Sequence, residues 1–438
     1  MLLLAFFLGA LASDGSDNRK VGVNQMHVAY LSEFERSVSW TSLTEKDPIT
    51  FIYQLAVPGP EGEMKMVDSN VTTFIEPQDK SQERYIHTVV LSNLKYGNYN
   101  YAPMGYHWYH FNVYENTPDD EQMFLIYGDM GVENSQCLDA IENMVITLGD
   151  DLDMIWHIGD FAYDMCDNNG QNTDLFMNMV EPIAAAMPYM TIPGNHESHF
   201  NFSHYESRYS SVSKTNPYYY SYDYGNVHVI HFTTELYFYP EQFSEQNIKD
   251  QFNWIQQDLK TANQNRDKYP WIITTGHRPM YCERLSSKCV NDTDPVRIGP
   301  YGLEKMFNDY GVDVAFWGHV HLYERMFPLN NEEYEKQPLD KYENPKWVTH
   351  VITGAPGNKE DISTNMKDQP EWSAVRLEEY SFTTLTAARD TLTIKQWSKD
   401  ETSKIIDQFQ ITKTEQKSEL RWYERAIKWL RGVTKMIF

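Results

Sequence analysis

The order of hydrophobic and polar positions divides the chain in two. From residue 20 to 115 it is a run of short segments rich in β-branched and aromatic residues, at 23–31, 38–41, 49–57, 85–91 and 108–114. Turn-forming clusters such as Glu45-Lys46-Asp47-Pro48 and Tyr96-Gly97-Asn98 separate them. Strands at this spacing, without helical periodicity, predict an antiparallel β-sandwich over 20–115. No group of acids, bases or metal ligands gathers there, so it reads as a packing or recognition module. The polar stretch 115–122 (ENTPDDEQ), broken by Pro118, reads as a linker. Beyond it, apolar strand segments alternate with helical patterns at 134–148, 173–187 and 246–261, and strand character returns at 347–352 and 381–397. That alternation predicts an α/β domain over 121–412.

The two ends carry different patterns. Residues 1–12 (MLLLAFFLGALA) are apolar and close on Ala10-Leu11-Ala12, the small-residue pattern of a cleaved signal peptide. At 413–438, Leu420, Ile427, Leu430, Val433 and Ile437 recur at helical spacing among Arg421, Arg425, Lys428, Arg431 and Lys435. This predicts a basic amphipathic helix that docks on the protein's own surface, with membrane or partner contact as the alternative.

Composition narrows the class. Hydrophobic residues are 41% of the 438, enough to bury a core, which excludes general disorder. Lys and Arg number 37 against 62 Asp and Glu, a formal net charge of −25, so nucleic acid is not an expected partner. No apolar run approaches the roughly 20 residues that span a bilayer as a helix. Sequons at Asn70, Asn201 and Asn291 agree with a secreted or endolysosomal protein. Four cysteines permit three pairings. Cys282 with Cys289 closes a short polar loop and is the preferred pair; Cys137 would then join Cys166 across two loops, with free buried thiols as the alternative.

The candidate chemistry lies in five loops. Gly128-Asp129-Met130-Gly131, Gly159-Asp160-Phe161-Ala162-Tyr163, Gly194-Asn195-His196-Glu197, Gly276-His277-Arg278-Pro279 and Gly318-His319-Val320-His321 each follow an apolar strand segment. In open α/β sheets functional loops gather at the carboxyl ends of strands, so these five can meet. Glycine directly before each ligand permits tight turns and close backbone approach.

GDMG, GDFAY, GNHE, GHRP and GHVH, in this order, resemble the five motifs of the purple acid phosphatases, a branch of the metallophosphoesterase superfamily. Residues 221–235 (SYDYGNVHVIHFTTE) are similar to the animal members, and the resemblance extends over about residues 20–410. It implies a fibronectin-III-like sandwich followed by an α/β metallophosphoesterase domain of αββα layers. It also implies an acid phosphatase of phosphate monoesters with Fe(III) and one divalent metal, either Zn, Fe or Mn. Asp129, Asp160, Tyr163 and His321 would hold the first ion; Asn195, His277 and His319 the second, with Asp160 bridging. General metallophosphoesterases carry His where Gly131 stands, and Tyr163 supplies the missing ligand. A phenolate is a hard donor that favours Fe(III). Two carboxylates and one phenolate against a trivalent and a divalent ion leave a net positive centre for an anionic ester.

By the same resemblance His196 is the catalytic imidazole, orienting phosphate or protonating the leaving group. Asn195, His196 and Arg278 would contact substrate, Tyr281 is a further candidate, and Glu197 is either a catalyst or an orienter of neighbours. Plant members place two adjacent histidines after the fourth motif, and 281–289 (YCERLSSKC) contains none. His157, His199, His204, His228 and His231 read as structural. A phosphodiesterase of the same superfamily and a non-catalytic cell-surface binder are the competing functions. The oligomeric state is open, a homodimer being one arrangement.

Overall fold

The computed structural model describes residues 22–282, 287–364, 369–400 and 404–414, with the side chains of 287–290 outside the description. The leader-like segment 1–12 and all but two residues of the helix expected at 413–438 lie outside the described residues. Among the described residues no helix is long and apolar enough to cross a membrane.

Eight strands form two four-stranded antiparallel sheets at the N-terminal end. One runs in the order Asn24–Ser32, Glu35–Ser42, Glu83–Leu91, Asn70–Ile75; the other runs Lys65–Asp68, Thr50–Leu55, Gly97–Pro103, Tyr109–Val113. Val28, Val38, Trp40, Phe51, Tyr101 and Phe111 are fully buried between them. Three of these strands are not legible as hydrophobic alternation. Lys65–Asp68 and Asn70–Ile75 are largely exposed, and their apolar residues do not alternate along a buried face. Gly97–Pro103 opens on Gly97-Asn98, which reads locally as a turn.

The rest of the chain builds two seven-stranded sheets. The first has the order Tyr189–Thr191, Met154–His157, Gln122–Tyr127, Ser381–Ala387, Thr391–Ser398, Ile405–Thr412, Lys341–Glu343. The second has the order Tyr219–Tyr224, Val227–Phe232, Trp271–Thr275, Val314–Trp317, Thr349–Thr353, Tyr323–Met326, Ser373–Leu377. Alternate residues of a strand face opposite sides. Ile273, Val314 and Phe316 therefore share a core with Phe124 and Ile126 of the first sheet. Their neighbours Ile272, Ala315 and Trp317 pack instead with Ile255 and Leu259 of the helix Glu245–Gln264. The helices Leu138–Leu148 and Gln171–Ala184 join the first core through Ile141, Met144, Val145, Phe176 and Val180. The layers are helix, sheet, sheet, helix.

All five strands that precede a ligand loop run in parallel pairs. Gln122–Tyr127, Met154–His157 and Tyr189–Thr191 are mutually parallel in one sheet, and Trp271–Thr275 pairs parallel with Val314–Trp317 in the other. Parallel pairing puts their carboxyl ends, and so the loops, at one edge of the layered sheets. The N-terminal sheets are docked on this body along the helix Gln171–Ala184. Tyr101 donates to the Ala185 carbonyl at 2.6 Å, and Arg84 reaches from buried Glu76 (3.2 Å) to Asp174 (2.8 Å).

The expected Cys137–Cys166 pair is not formed; both thiols are free and buried. Cys137 precedes the helix Leu138–Leu148, its thiol 3.9 Å from the Ala355 carbonyl, whereas Cys166 sits in the turn closed by Gly170 N–H. Burial pushes both thiols up, Cys166 to about 11, so they are packing groups. The Cys282–Cys289 expectation rests on a side chain outside the described residues. The sequon residues Asn70, Asn201 and Asn291 are all exposed.

Four of the remaining histidines are tied into the body. His157 meets the Tyr189 hydroxyl at 2.7 Å, His231 lies between Tyr222 and Thr275, and His204 is buried beside Glu76. His199 is exposed. His228 is held by Asp223 (2.7 Å) and Asp258 (2.8 Å); burial alone would lower it, but the two carboxylates outweigh that and push it up to about 9. A raised folded-state pKa contributes stability that is full below pH 6.5 and is lost as pH rises through about 9. His228→Gln should therefore cost on the order of 3 kcal/mol in denaturant unfolding near pH 6 and little near pH 10. A cost independent of pH would contradict the pairing.

Candidate metal centre

Each ligand is placed by its loop geometry. Asp129, Asp160, Tyr163 and His319 all adopt left-handed backbone, with φ of 65°, 57°, 52° and 68°. Such conformations cost of order 1–3 kcal/mol each and persist where the surroundings over-determine them. Here hydrogen bonds do so. Asp129 accepts from His319 N–H at both carboxylate oxygens (2.9 and 2.8 Å), and its own N–H donates to the Gly159 carbonyl at 2.9 Å. Glycine is required at Gly194, where a Cβ would stand 2.3 Å from Asp160 Oδ1 and 2.6 Å from His277 Nε2.

The side chains converge as two adjoining sets. In one, the Tyr163 hydroxyl lies 3.2 Å from Asp129 Oδ1 and 2.9 Å from His321 Nε2. In the other, Asn195 Oδ1 lies 3.2 Å from His277 Nε2 and 2.8 Å from His319 Nδ1, while Asp160 Oδ2 is 3.1 Å from His277 Nε2. Ligand atoms of Asp160, His277 and His319 all fall within 4.8 Å of one another. All seven predicted ligands are thus brought together.

Outer partners fix two of the tautomers. His277 Nδ1–H donates to the Ile158 carbonyl and His321 Nδ1–H to the Asp361 carbonyl, both at 2.9 Å. His319 Nε2 stands 3.3 Å from both Asp292 Oδ2 and the Arg278 guanidinium. His277 and His321 therefore turn their Nε2 lone pairs into the site, toward Asn195 and Asp160 and toward the Tyr163 hydroxyl. Lone pairs facing lone pairs repel unless a cation lies among them, so the donor set fits bound metal. The protonation pattern agrees. Burial pushes Asp129 well above the usual carboxylate range, and burial of His277 is outweighed by Asp160 and Asp129, which push it up to about 10. Burial, together with Arg278 and His277, lowers His319 to about 3, and burial lowers His321, leaving both neutral and able to coordinate. Burial and the flanking Asp129 and Asp160 raise Tyr163 far above an ordinary phenol, so only a strong Lewis acid would make it a phenolate.

Glu197 is an orienter. Its buried carboxylate accepts three backbone N–H bonds, from Gly194 (2.7 Å), Asp160 (2.8 Å) and Phe161 (2.8 Å), and so ties the Asp160 loop to the Asn195 loop. His196 Nδ1 is 2.5 Å from Asp164 Oδ1, with Nε2 on the cavity side; burial lowers this imidazole, but Asp160 and Asp164 push it up to about 9. Arg278 is paired on both sides. It is buried, gripped by Glu235 (3.0 and 3.2 Å) and Asp292 (2.8 Å), and stacked over Phe238. It lines the cavity, whereas Tyr281 does not: its hydroxyl donates to Glu304 in the core.

Sequence reasoning missed the roles of Asp164, Glu235 and Asp292, whose positions carry no signal of site chemistry. It also missed a sixth glycine-led loop. Thr349–Thr353 runs parallel to Val314–Trp317 and leads into Gly354-Ala355-Pro356-Gly357-Asn358, with the same strand-then-glycine signal as the other five. Asn358 Nδ2 donates to the Asp129 carbonyl at 2.9 Å, and Asp361 from this loop orients His321.

A family model for calcineurin-like phosphoesterases matches residues 123–323, and one for the C-terminal part of iron/zinc purple acid phosphatase-like proteins matches 348–408. The chain is 36% identical to mouse acid phosphatase type 7, over 87% of this chain and 89% of the relative. It is 35% identical to the human protein of the same name, over 93% and 94%. The structure of purple acid phosphatase PPD1 from yellow lupin superimposes with a TM-score of 0.76 at 22% identity, over 91% of this chain and 76% of the lupin chain.

Glu197→Gln would place an amide nitrogen against one or more of three N–H donors. Metal retention against a chelator should fall 10–100-fold with far-UV circular dichroism unchanged. Wild-type retention would contradict the clamp.

Proposed function

This chain belongs to the purple acid phosphatases, metal-dependent hydrolases with the calcineurin-like metallophosphoesterase fold, and on that premise we propose that it hydrolyses phosphate monoesters at acidic pH through an Fe(III)–divalent centre. The family implies a binuclear site and small phosphoester substrates. The observation that carries the finer reading is the Tyr163 hydroxyl, set between Asp129 and His321 where a hard, trivalent ion needs it. Asp129, Asp160, Tyr163 and His321 would hold Fe(III); Asn195, His277 and His319, with Asp160 shared, would hold Zn, Fe or Mn. When bound, the pair supplies positive charge for the ester and acidifies the attacking water.

The chain's own groups do the rest. The Asn195 amide and the His196 imidazole line the cavity and orient the phosphate. Asp164 accepts a hydrogen bond from His196 Nδ1–H and, with Asp160, favours the imidazolium, whose Nε2–H protonates the departing alcohol oxygen. Arg278, with its charge matched by Glu235 and Asp292, holds Asp292 in place against His319 more than it grips substrate. The paired four-stranded sheets support assigning the N-terminal part, 20–115, as a fibronectin-III-like module beside a catalytic domain over 121–412. The leader-like start and the three sequons support a secreted or endolysosomal location, with Cys282–Cys289 bridged.

Purified protein should release nitrophenol from 4-nitrophenyl phosphate at acidic pH and leave bis(4-nitrophenyl) phosphate nearly untouched. Faster turnover of the bis-ester would favour a diesterase instead. The oxidised protein should show a broad visible charge-transfer band that Tyr163→Phe abolishes while iron is retained. An iron-loaded, colourless wild type would remove Tyr163 from the ligand set.

A further inference from the structure

The cavity above the candidate metal ligands has a volume of about 650 Å³, and its wall beyond them includes Glu360, Asp292 and Ile362. On the phosphatase reading, the phosphate lies on the ligand floor beside His196, so the alcohol part of the ester meets this wall. Among the described residues, Arg278, Lys359 and His196 each face two carboxylates, with Asp164 shared by the last two. Arg278 meets Glu235 and Asp292, Lys359 meets Asp164 (3.7 Å) and Asp167 (3.5 Å), and His196 meets Asp164 and Glu360. Glu360 is the exposed member of the set. Its carboxylate is 51% accessible and 3.5 Å from His196 Nε2, and its backbone N–H is fixed by Asn358 Oδ1 at 2.8 Å. The wall therefore presents negative charge on a fixed loop with an apolar residue, Ile362, two positions on. The net charge of −25 over the whole chain adds a field of the same sign.

We propose that Glu360 is a specificity-determining residue that selects monoesters whose alcohol carries an ammonium group, such as ethanolamine phosphate and choline phosphate, over those carrying a second anion. This rests on the phosphatase reading and names its substrate class. The floor attracts the phosphate of any monoester, so discrimination falls to the wall, where an ammonium is attracted and a carboxylate repelled. The methylene or methyl groups of the amino alcohol find contact on Ile362. Hydrolysis balances with water alone: its oxygen bonds to phosphorus, the P–O bond to the alcohol breaks, and the alcohol oxygen takes a proton. The products are inorganic phosphate and the free amino alcohol.

The test is kcat/KM for phosphate release by the metal-loaded enzyme at low ionic strength, with choline phosphate, ethanolamine phosphate and 3-phosphoglycerate against 4-nitrophenyl phosphate as reference. The ammonium esters should exceed 3-phosphoglycerate by about five- to tenfold, the size expected of partly exposed charge pairs. The ratio should shrink several-fold in Glu360→Gln, reverse in Glu360→Lys, and contract at high salt. Equal turnover of the two classes, or a ratio that Glu360→Gln and Glu360→Lys leave unmoved while nitrophenyl phosphate is still hydrolysed, overturns this proposal alone. Failure to hydrolyse nitrophenyl phosphate at all overturns the phosphatase reading and this proposal with it.

Discussion

Two carboxylates, Asp129 and Asp160, are buried together at the junction of the two sheets, and the rest of the site answers to their charge. Burying an uncompensated carboxylate costs several kcal/mol, so the surroundings must supply positive charge or protons. Nearby, His277 and Asn195 turn acceptor atoms on one another, which makes the demand for a cation stronger. The backbone bends to serve this arrangement, with four of the seven ligands in left-handed conformations. Glu197 then holds the Asp160 and Asn195 loops together, and Ile158 and Asp361 hold His277 and His321 with their lone pairs inward.

The sheets explain how such distant residues meet. Asp129, Asp160 and Asn195 hang from one sheet; His277, His319 and His321 hang from the other. Layering the sheets on a shared core of Phe124, Ile126, Ile273 and Phe316 brings the two sets of loops edge to edge. Neither sheet carries a complete ligand set. The Gly354 loop closes the arrangement from behind Asp129, and through Glu360 and Ile362 it also shapes the cavity wall.

The candidate ligand loops were legible because close packing of donor atoms leaves a residue-level trace: an apolar strand, a glycine, then a donor. Gly194 shows why, since no side chain fits between Asp160 and His277. The α/β alternation and the three long helices were legible from their periods. Partners defined by three-dimensional placement were not. Asp292 acts on His319 from a helix, Ser287–Arg297, whose hydrophobic pattern announces no site, and Asp164 looks like one acid among many. The exposed strands Lys65–Asp68 and Asn70–Ile75 escaped because their side chains meet water, so selection for alternation is weak. The Cys137–Cys166 pairing failed for a related reason: even counts and neighbouring loops say nothing about which way buried thiols point.

Anomalous X-ray diffraction from crystals of the metal-loaded protein, collected on both sides of the iron absorption edge, tests the two-ion account most directly. Two peaks should appear on either side of the Asp160 carboxylate, one among Asp129, Tyr163 and His321 and containing iron, the other among Asn195, His277 and His319. A single peak, or an iron atom with Tyr163 turned away from it, would contradict the account.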